Sequence, residues 1–230
     1  MMMRRTAVAG IGLLALTGLA TPAHAQTACT VNGTPASGTN ILGTAGNDVV
    51  SCSHVDQATI VDTLAGDDRI TVTGQMNGRI RAGDGADGLT VTGGGSIGVG
   101  ASLDGQMQAD RFEIQGAVLG DVRGGQDNDT LRLTPTARVA AGADVRGARG
   151  VDTITVDQGA TVLGVVEGNQ EGDTITVATV GAGGRVHGDE GDDSLTVRSN
   201  QGTVDGGVGN DTCRVGGVPP VNCETVTPPS

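Results

Sequence analysis

An aspartate returns along this chain at Asp48, Asp68, Asp87, Asp110, Asp129, Asp152, Asp173, Asp193 and Asp211, at intervals of 18 to 23 residues. Two positions after each lies an apolar residue: Val50, Ile70, Leu89, Phe112, Leu131, Ile154, Ile175, Leu195 and Cys213. Four positions after lies another: Cys52, Val72, Val91, Ile114, Leu133, Val156, Val177, Val197 and Val215. A third series precedes each aspartate by seven: Ile41, Val61, Ile80, Leu103, Val122, Val145, Val166, Val186 and Val204. A chain only 37% apolar does not place 27 apolar residues at 27 periodic positions by chance. Repeats of this length are units too small to bury their own apolar face, and they become stable by stacking.

The two-residue spacing after each aspartate is that of a strand with alternate side chains turned inward. Pairing each strand in parallel with its equivalent in the next unit lines the inward residues into aliphatic ladders. The composition fits such a narrow interior: 41 glycines, and Phe112 as the one aromatic residue. The sequence therefore predicts an all-β solenoid of about nine coils over residues 41–215. An N-terminal cap segment precedes it at 26–40. A C-terminal cap and a disordered tail ending Thr-Pro-Pro-Ser follow at 216–230.

Residues 1–25 read as a secretory signal peptide, with Arg4 and Arg5, an apolar stretch from Ala7 to Ala20, and Ala23-His24-Ala25 as a small-residue cleavage site. Gly10, Gly12 and Gly18 interrupt that stretch and Pro22 ends it, so it is too short for a transmembrane helix. No later stretch is long and apolar enough, and the product is expected to be secreted and extracellular. There Cys29, Cys52, Cys213 and Cys223 can form disulfides. Four cysteines allow three pairings. Loop closure favours Cys29 with Cys52 and Cys213 with Cys223, each clipping one end. A zinc site is the poorer reading, because no CxxC pair is present and His54 and His187 are the only histidines beyond the signal.

The segments leading into the aspartates carry a further pattern. They read Gly43-Thr-Ala-Gly-Asn-Asp48, Gly124-Gly-Gln-Asp-Asn-Asp129, Gly188-Asp-Glu-Gly-Asp-Asp193 and Gly206-Gly-Val-Gly-Asn-Asp211. At these residues the chain resembles the hemolysin-type, or RTX, calcium-binding repeat family, whose nonapeptide is GGxGxDxUx with U a large apolar residue. The resemblance implies a right-handed parallel β-roll or β-helix with calcium held between neighbouring coils. Carried over residue by residue, it names Asp48, Asp68, Asp87, Asp129, Asp193 and Asp211 as metal ligands, assisted by Asn47, Asp67, Asp192 and Asn210.

Glycines at the first, second and fourth loop positions would let the backbone take left-handed or crowded conformations and turn carbonyls toward the ion. Gln108 and Glu171 stand where glycine is expected, and Arg149 brings positive charge near Asp152, so fewer ions than gaps between coils are expected. The chain departs from the family nine positions before each aspartate. Thr39, Thr59, Gly78, Ala101, Gly120, Ala143, Gly164, Gly184 and Gly202 supply no carboxylate there, which leaves one metal edge and one metal-free edge where coil length varies. A competing reading needs no metal: each aspartate caps a turn through backbone hydrogen bonds.

A net charge of −12, with no lysine and no stacking aromatics, excludes nucleic acid and anionic membranes as natural partners. Cations suit it. The carboxylate pairs are already accounted for by repeat position, and the histidines are isolated, so the protein reads as non-enzymatic. A polysaccharide lyase or epimerase is the enzyme alternative. Thr71, Thr73, Thr90, Thr92, Thr153, Thr155, Thr174, Thr176 and Thr196 fall on outward strand positions. Such an array suits ice or an extracellular glycan or surface, although exposed strands favour threonine anyway.

Overall fold

A computed structural model describes residues 27–228, so the signal-peptide reading at 1–25 lies outside the described residues. Within them every regular element is a strand. A sixteen-stranded sheet and a nine-stranded sheet run the length of the molecule, and apart from the N-terminal hairpin all pairings are parallel between successive coils. The protein is a β-solenoid of about nine turns.

The three apolar series stack in register through the whole molecule. Val50 pairs with Ile70, Ile70 with Leu89, and so on to Leu195 with Cys213. Ile41 to Val204 do the same in the nine-stranded sheet. Every member is buried except Val215, which packs partly exposed against the end of the core. Outward residues alternate with them, as in the Thr174, Thr176 pair beside Ser194, Thr196. A parallel ladder of this kind lets each short strand bury its inward side chains against two neighbours.

The periodicity did not indicate a fourth inward row: Val55, Met76, Ile97, Val118, Val139, Val162, Val180 and Asn200, each paired with the next. All are buried. They sit on short strands such as Ser96–Ile97, Ala117–Val118 and Arg138–Val139, which continue the sixteen-stranded sheet. The extra residues of the longer coils fall in the turn before this row, as at residues 92–95 between Gly88–Val91 and Ser96–Ile97, whereas shorter coils reach it on one continuous strand such as Thr174–Val180. The row itself forms a third run of the coil on the side away from the aspartates.

Both ends are closed as the loop-closure argument favoured. Cys29 bonds Cys52, and Cys213 bonds Cys223. The first bridge fixes a hairpin of Ala28–Val31 and Thr34–Ala36, whose first strand runs antiparallel to Val49–Val55 and covers that edge of the sixteen-stranded sheet. Thr227, placed by sequence in a disordered tail, belongs to a last strand, Thr225–Thr227, that pairs with Thr212–Gly217.

Candidate functional site

The nine repeating aspartates form one column inside the corner between the two sheets. None is more than 3% exposed. The backbone N–H of each donates to Oδ1 of the aspartate one coil further on, at 2.7–2.8 Å from Asp48 onto Asp68 through to Asp193 onto Asp211. The chain of bonds runs in one direction only. At its start the Asn32 side-chain amide donates to Asp48 Oδ1, while Asn32 Oδ1 accepts from Val49 N–H at 2.9 Å.

The second carboxylate oxygen has a different environment. Oδ2 of Asp68, Asp87, Asp110, Asp129, Asp152, Asp173, Asp193 and Asp211 is buried and has no hydrogen-bond partner. Asp48 differs because Thr44 N–H donates to its Oδ2 at 2.6 Å. In the other eight coils the residue four before the aspartate has a positive φ: Leu64, Gly83, Gln106, Gly125, Ala148, Asn169, Asp189 and Gly207. Thr44, outside that conformation, aims its amide at the carboxylate instead.

The residue five before the aspartate lies against the carboxylate in most coils, although Asp68 and Asp87 keep their places in the column beside Thr63 and Ala82. It is Gly43, Gly105, Gly124, Gly147, Gly168, Gly188 or Gly206 in seven coils, and Thr63 or Ala82 in the other two. A Cβ on Gly105 would stand 2.0 Å from Asp110 Oδ2 and 2.3 Å from the Gly124 carbonyl of the next coil. Gly43, Gly124, Gly168 and Gly188 repeat this arrangement. The first loop glycine was expected to permit a left-handed or a crowded backbone, and here it is the crowding that applies. None of these seven has a positive φ. Its role is space: Oδ2 and a backbone carbonyl occupy the volume a side chain would need.

Burial raises the carboxyls of Asp68, Asp87, Asp110, Asp129, Asp152, Asp173, Asp193 and Asp211 above their ordinary range, opposed by the amide bond each accepts and assisted by neighbouring carboxylates. Asp110 and Asp173 are pushed up to about 8, Asp87 and Asp129 to about 7, and Asp152 and Asp193 to about 6. Asp68 and Asp211 are raised, again by burial first. Eight orphaned oxygens in one apolar corner favour whatever neutralises them, a proton or a cation.

The assisting residues named from sequence lie elsewhere. Asn47, Asp67, Asp192 and Asn210 form an exposed outer row in which side chains accept amides of the next coil: Asp67 N–H to Asn47 Oδ1 at 3.0 Å, Ala86 N–H to Asp67 Oδ1 at 3.1 Å, and Asn210 N–H to Asp192 Oδ1 at 2.9 Å. Gln108 and Glu171, in expected glycine places, take positive φ without breaking the column. Arg149 turns along the surface and donates to Gln170 Oε1 at 2.9 Å.

Calcium takes hard oxygen ligands. The orphaned Oδ2 atoms and the carbonyls brought beside them at the glycines are of that type, so the donor chemistry fits. Among the described residues no three His, Cys, Asp or Glu side chains converge on one point. A cation here would draw on carboxylates of adjacent coils together with backbone carbonyls.

The fold and the column define a class: a disulfide-capped parallel β-solenoid with a buried, directional aspartate ladder. The chain matches no family model, no curated protein and no solved structure.

Proposed function

We propose that this is a secreted, non-catalytic β-solenoid whose folding and stability are coupled to calcium at the aspartate edge. The observation that carries the reading is the row of eight buried carboxylate oxygens without a hydrogen-bond partner. Parallel stacking sets equivalent positions about 4.8 Å apart. At that separation two bare carboxylates repel by about 0.9 kcal/mol at the dielectric of water, and by several-fold more at an effective dielectric of 20. A divalent ion shared between coils converts this repulsion into a cross-link and makes binding part of folding. The RTX resemblance names five of these eight aspartates, Asp68, Asp87, Asp129, Asp193 and Asp211, and the two disulfides suit an oxidising compartment.

Calcium titration followed by thermal unfolding and calorimetry tests the proposal. A raised melting temperature with bound calcium, poorly reproduced by magnesium, is the expected result. An unchanged melt with no bound ion refutes it. Asp193→Ala with Asp211→Ala should remove calcium from the C-terminal coils selectively.

A second reading, a glycan-binding surface, rests on a groove of about 180 Å³ on the sixteen-stranded sheet. Thr155, Thr176 and Thr196 floor it, and Asp157, Gln158 and Arg198 supply further hydrogen-bonding groups. A glycan array with Thr176→Val as control tests it: signal lost in the variant supports the reading, and no signal from the parent removes it.

A further inference from the structure

We infer that residues 218–224 are a truncated tenth coil, that it completes a ninth site with Asp211, and that the Cys213–Cys223 disulfide holds it in place. Its register with the ninth coil reproduces that between repeats. Thr225 N–H donates to the Asp211 carbonyl at 3.0 Å, as Thr212 N–H does to the Asp193 carbonyl at 2.8 Å. Thr225 pairs with Thr212 and Val226 with Cys213, so Glu224 stands one coil beyond Asp211. Its carboxylate does what a tenth aspartate would: Oε2 accepts the Asp211 N–H at 2.7 Å.

The other strand of the coil is represented as well. Val221 bridges Asp205 in parallel, with Val221 N–H to the Val204 carbonyl and Gly206 N–H to the Val221 carbonyl, both at 3.0 Å. Asn222 therefore falls opposite Gly206. Its carbonyl lies 2.0 Å from where a Cβ on Gly206 would stand, beside Asp211 Oδ2 at 2.7 Å. Inside the solenoid the Gly206 carbonyl plays that part for Gly188 and Asp193.

A full repeat places four residues between these two positions, Gly206 and Asp211, whereas the tenth coil places one between Asn222 and Glu224. The shortened connection accounts for the residue type, because glutamate's additional methylene reaches the column where the backbone has been cut short. The disulfide at Cys223 ties the residue between them to Cys213 on the ninth coil. Asp211 Oδ2, fully buried and unpartnered, faces this closure. As a ligand site it would take the same hard divalent cation as the column, and that part rests on the calcium reading above.

Amide hydrogen exchange of the full mature chain, read at Asp211, tests the coil independently of metal. Glu224→Ala should speed exchange there by about tenfold or more, because the lost acceptor is charged. Glu224→Gln, which keeps an acceptor oxygen, should stay near the parent. Cys213→Ser with Cys223→Ser should reproduce the alanine result, and Cys29→Ser with Cys52→Ser should not. Unchanged exchange at Asp211 in Glu224→Ala overturns the tenth coil. Calcium counted by native mass spectrometry tests the ligand: Glu224→Gln should bind one ion fewer than the parent. An equal, non-zero count overturns the ninth cation site. A parent that binds none removes the calcium reading, and the exchange result still decides the coil.

Discussion

Asp193 Oδ2 occupies a point 2.2 Å from where a Cβ on Gly188 would sit, and the Gly206 carbonyl lies 2.3 Å from the same point. The carbonyl is backbone, and the carboxylate is held through Oδ1 by the Asp173 N–H at 2.7 Å. Gly188→Ala should therefore destabilise the fold by about 1–3 kcal/mol through overpacking. Gly88→Ala is the matched control, where the nearest neighbour to an added Cβ, the Asp68 carbonyl, lies at 3.8 Å. Urea unfolding of both variants checks the difference, and equal midpoints would show that the carboxylate can retreat.

Raised carboxyls give the protein an unusual pH dependence. The folded state holds protons on Asp110 and Asp173 up to about pH 8, whereas the unfolded chain releases them near 3.8. More protons bound to the folded state across that window means stability falls as pH rises through it. In chelator, the melting temperature should be highest near the lower limit and decline toward pH 8. Calcium should flatten the decline, because a bound cation replaces the proton. A metal-free melt that rises from pH 5 to 8 would contradict the column's energetics.

Asparagine separates the proton from the charge. In Asp173→Asn the side-chain oxygen still accepts the Asp152 N–H, bonded in the parent at 2.7 Å. The amide nitrogen is neutral and faces the Gly188 carbonyl, which neighbours Oδ2 across Gly168. The variant should gain about 1 kcal/mol over the parent at pH 8 in chelator and little at pH 5. Denaturant midpoints at the two pH values measure this, and in calcium the advantage should disappear.

Much of this architecture is legible in the sequence because a parallel stack repeats the same physical demand at each level. The inward series at Val50, Cys52 and Ile41 keep fixed offsets from the aspartate, since the turn joining the two sheets and the inward positions on either side of it span the same number of residues in every coil. The fourth row escapes detection for the converse reason: Val55 follows its aspartate by seven residues, Met76 by eight and Ile97 by ten. Glu224 is hidden in a different way. Glu224-Thr-Val226 copies the acid-threonine-apolar start of Asp173-Thr-Ile175, but the acid has changed type and the preceding strand is cut short. The inward burial of the aspartates is also beyond sequence, because glycine five positions earlier suits an open loop as well as a crowded corner.

Backbone strain offers a further handle. Leu64 takes φ 74 at a position where Gly83, Gly125 and Gly207 stand in other coils. Its side chain is 43% exposed, so replacement removes only part of a leucine's packing. Leu64→Gly should stabilise the protein by about 0.5–1 kcal/mol, the left-handed penalty of about 1–2 kcal/mol being offset in part by glycine's entropy. Calorimetric melting of the variant reads the change directly.

Each internal coil gives one amide forward along the column and receives one from behind, so any two junctions between coils are chemically alike. Deleting or copying an interior coil whole would leave no orphaned partner. The length of this molecule is thus a countable quantity, changed in steps of about 4.8 Å by gain or loss of one repeat. Only the two terminal segments, carrying Asn32 and Glu224, are irreplaceable, because each presents one face that no repeat provides.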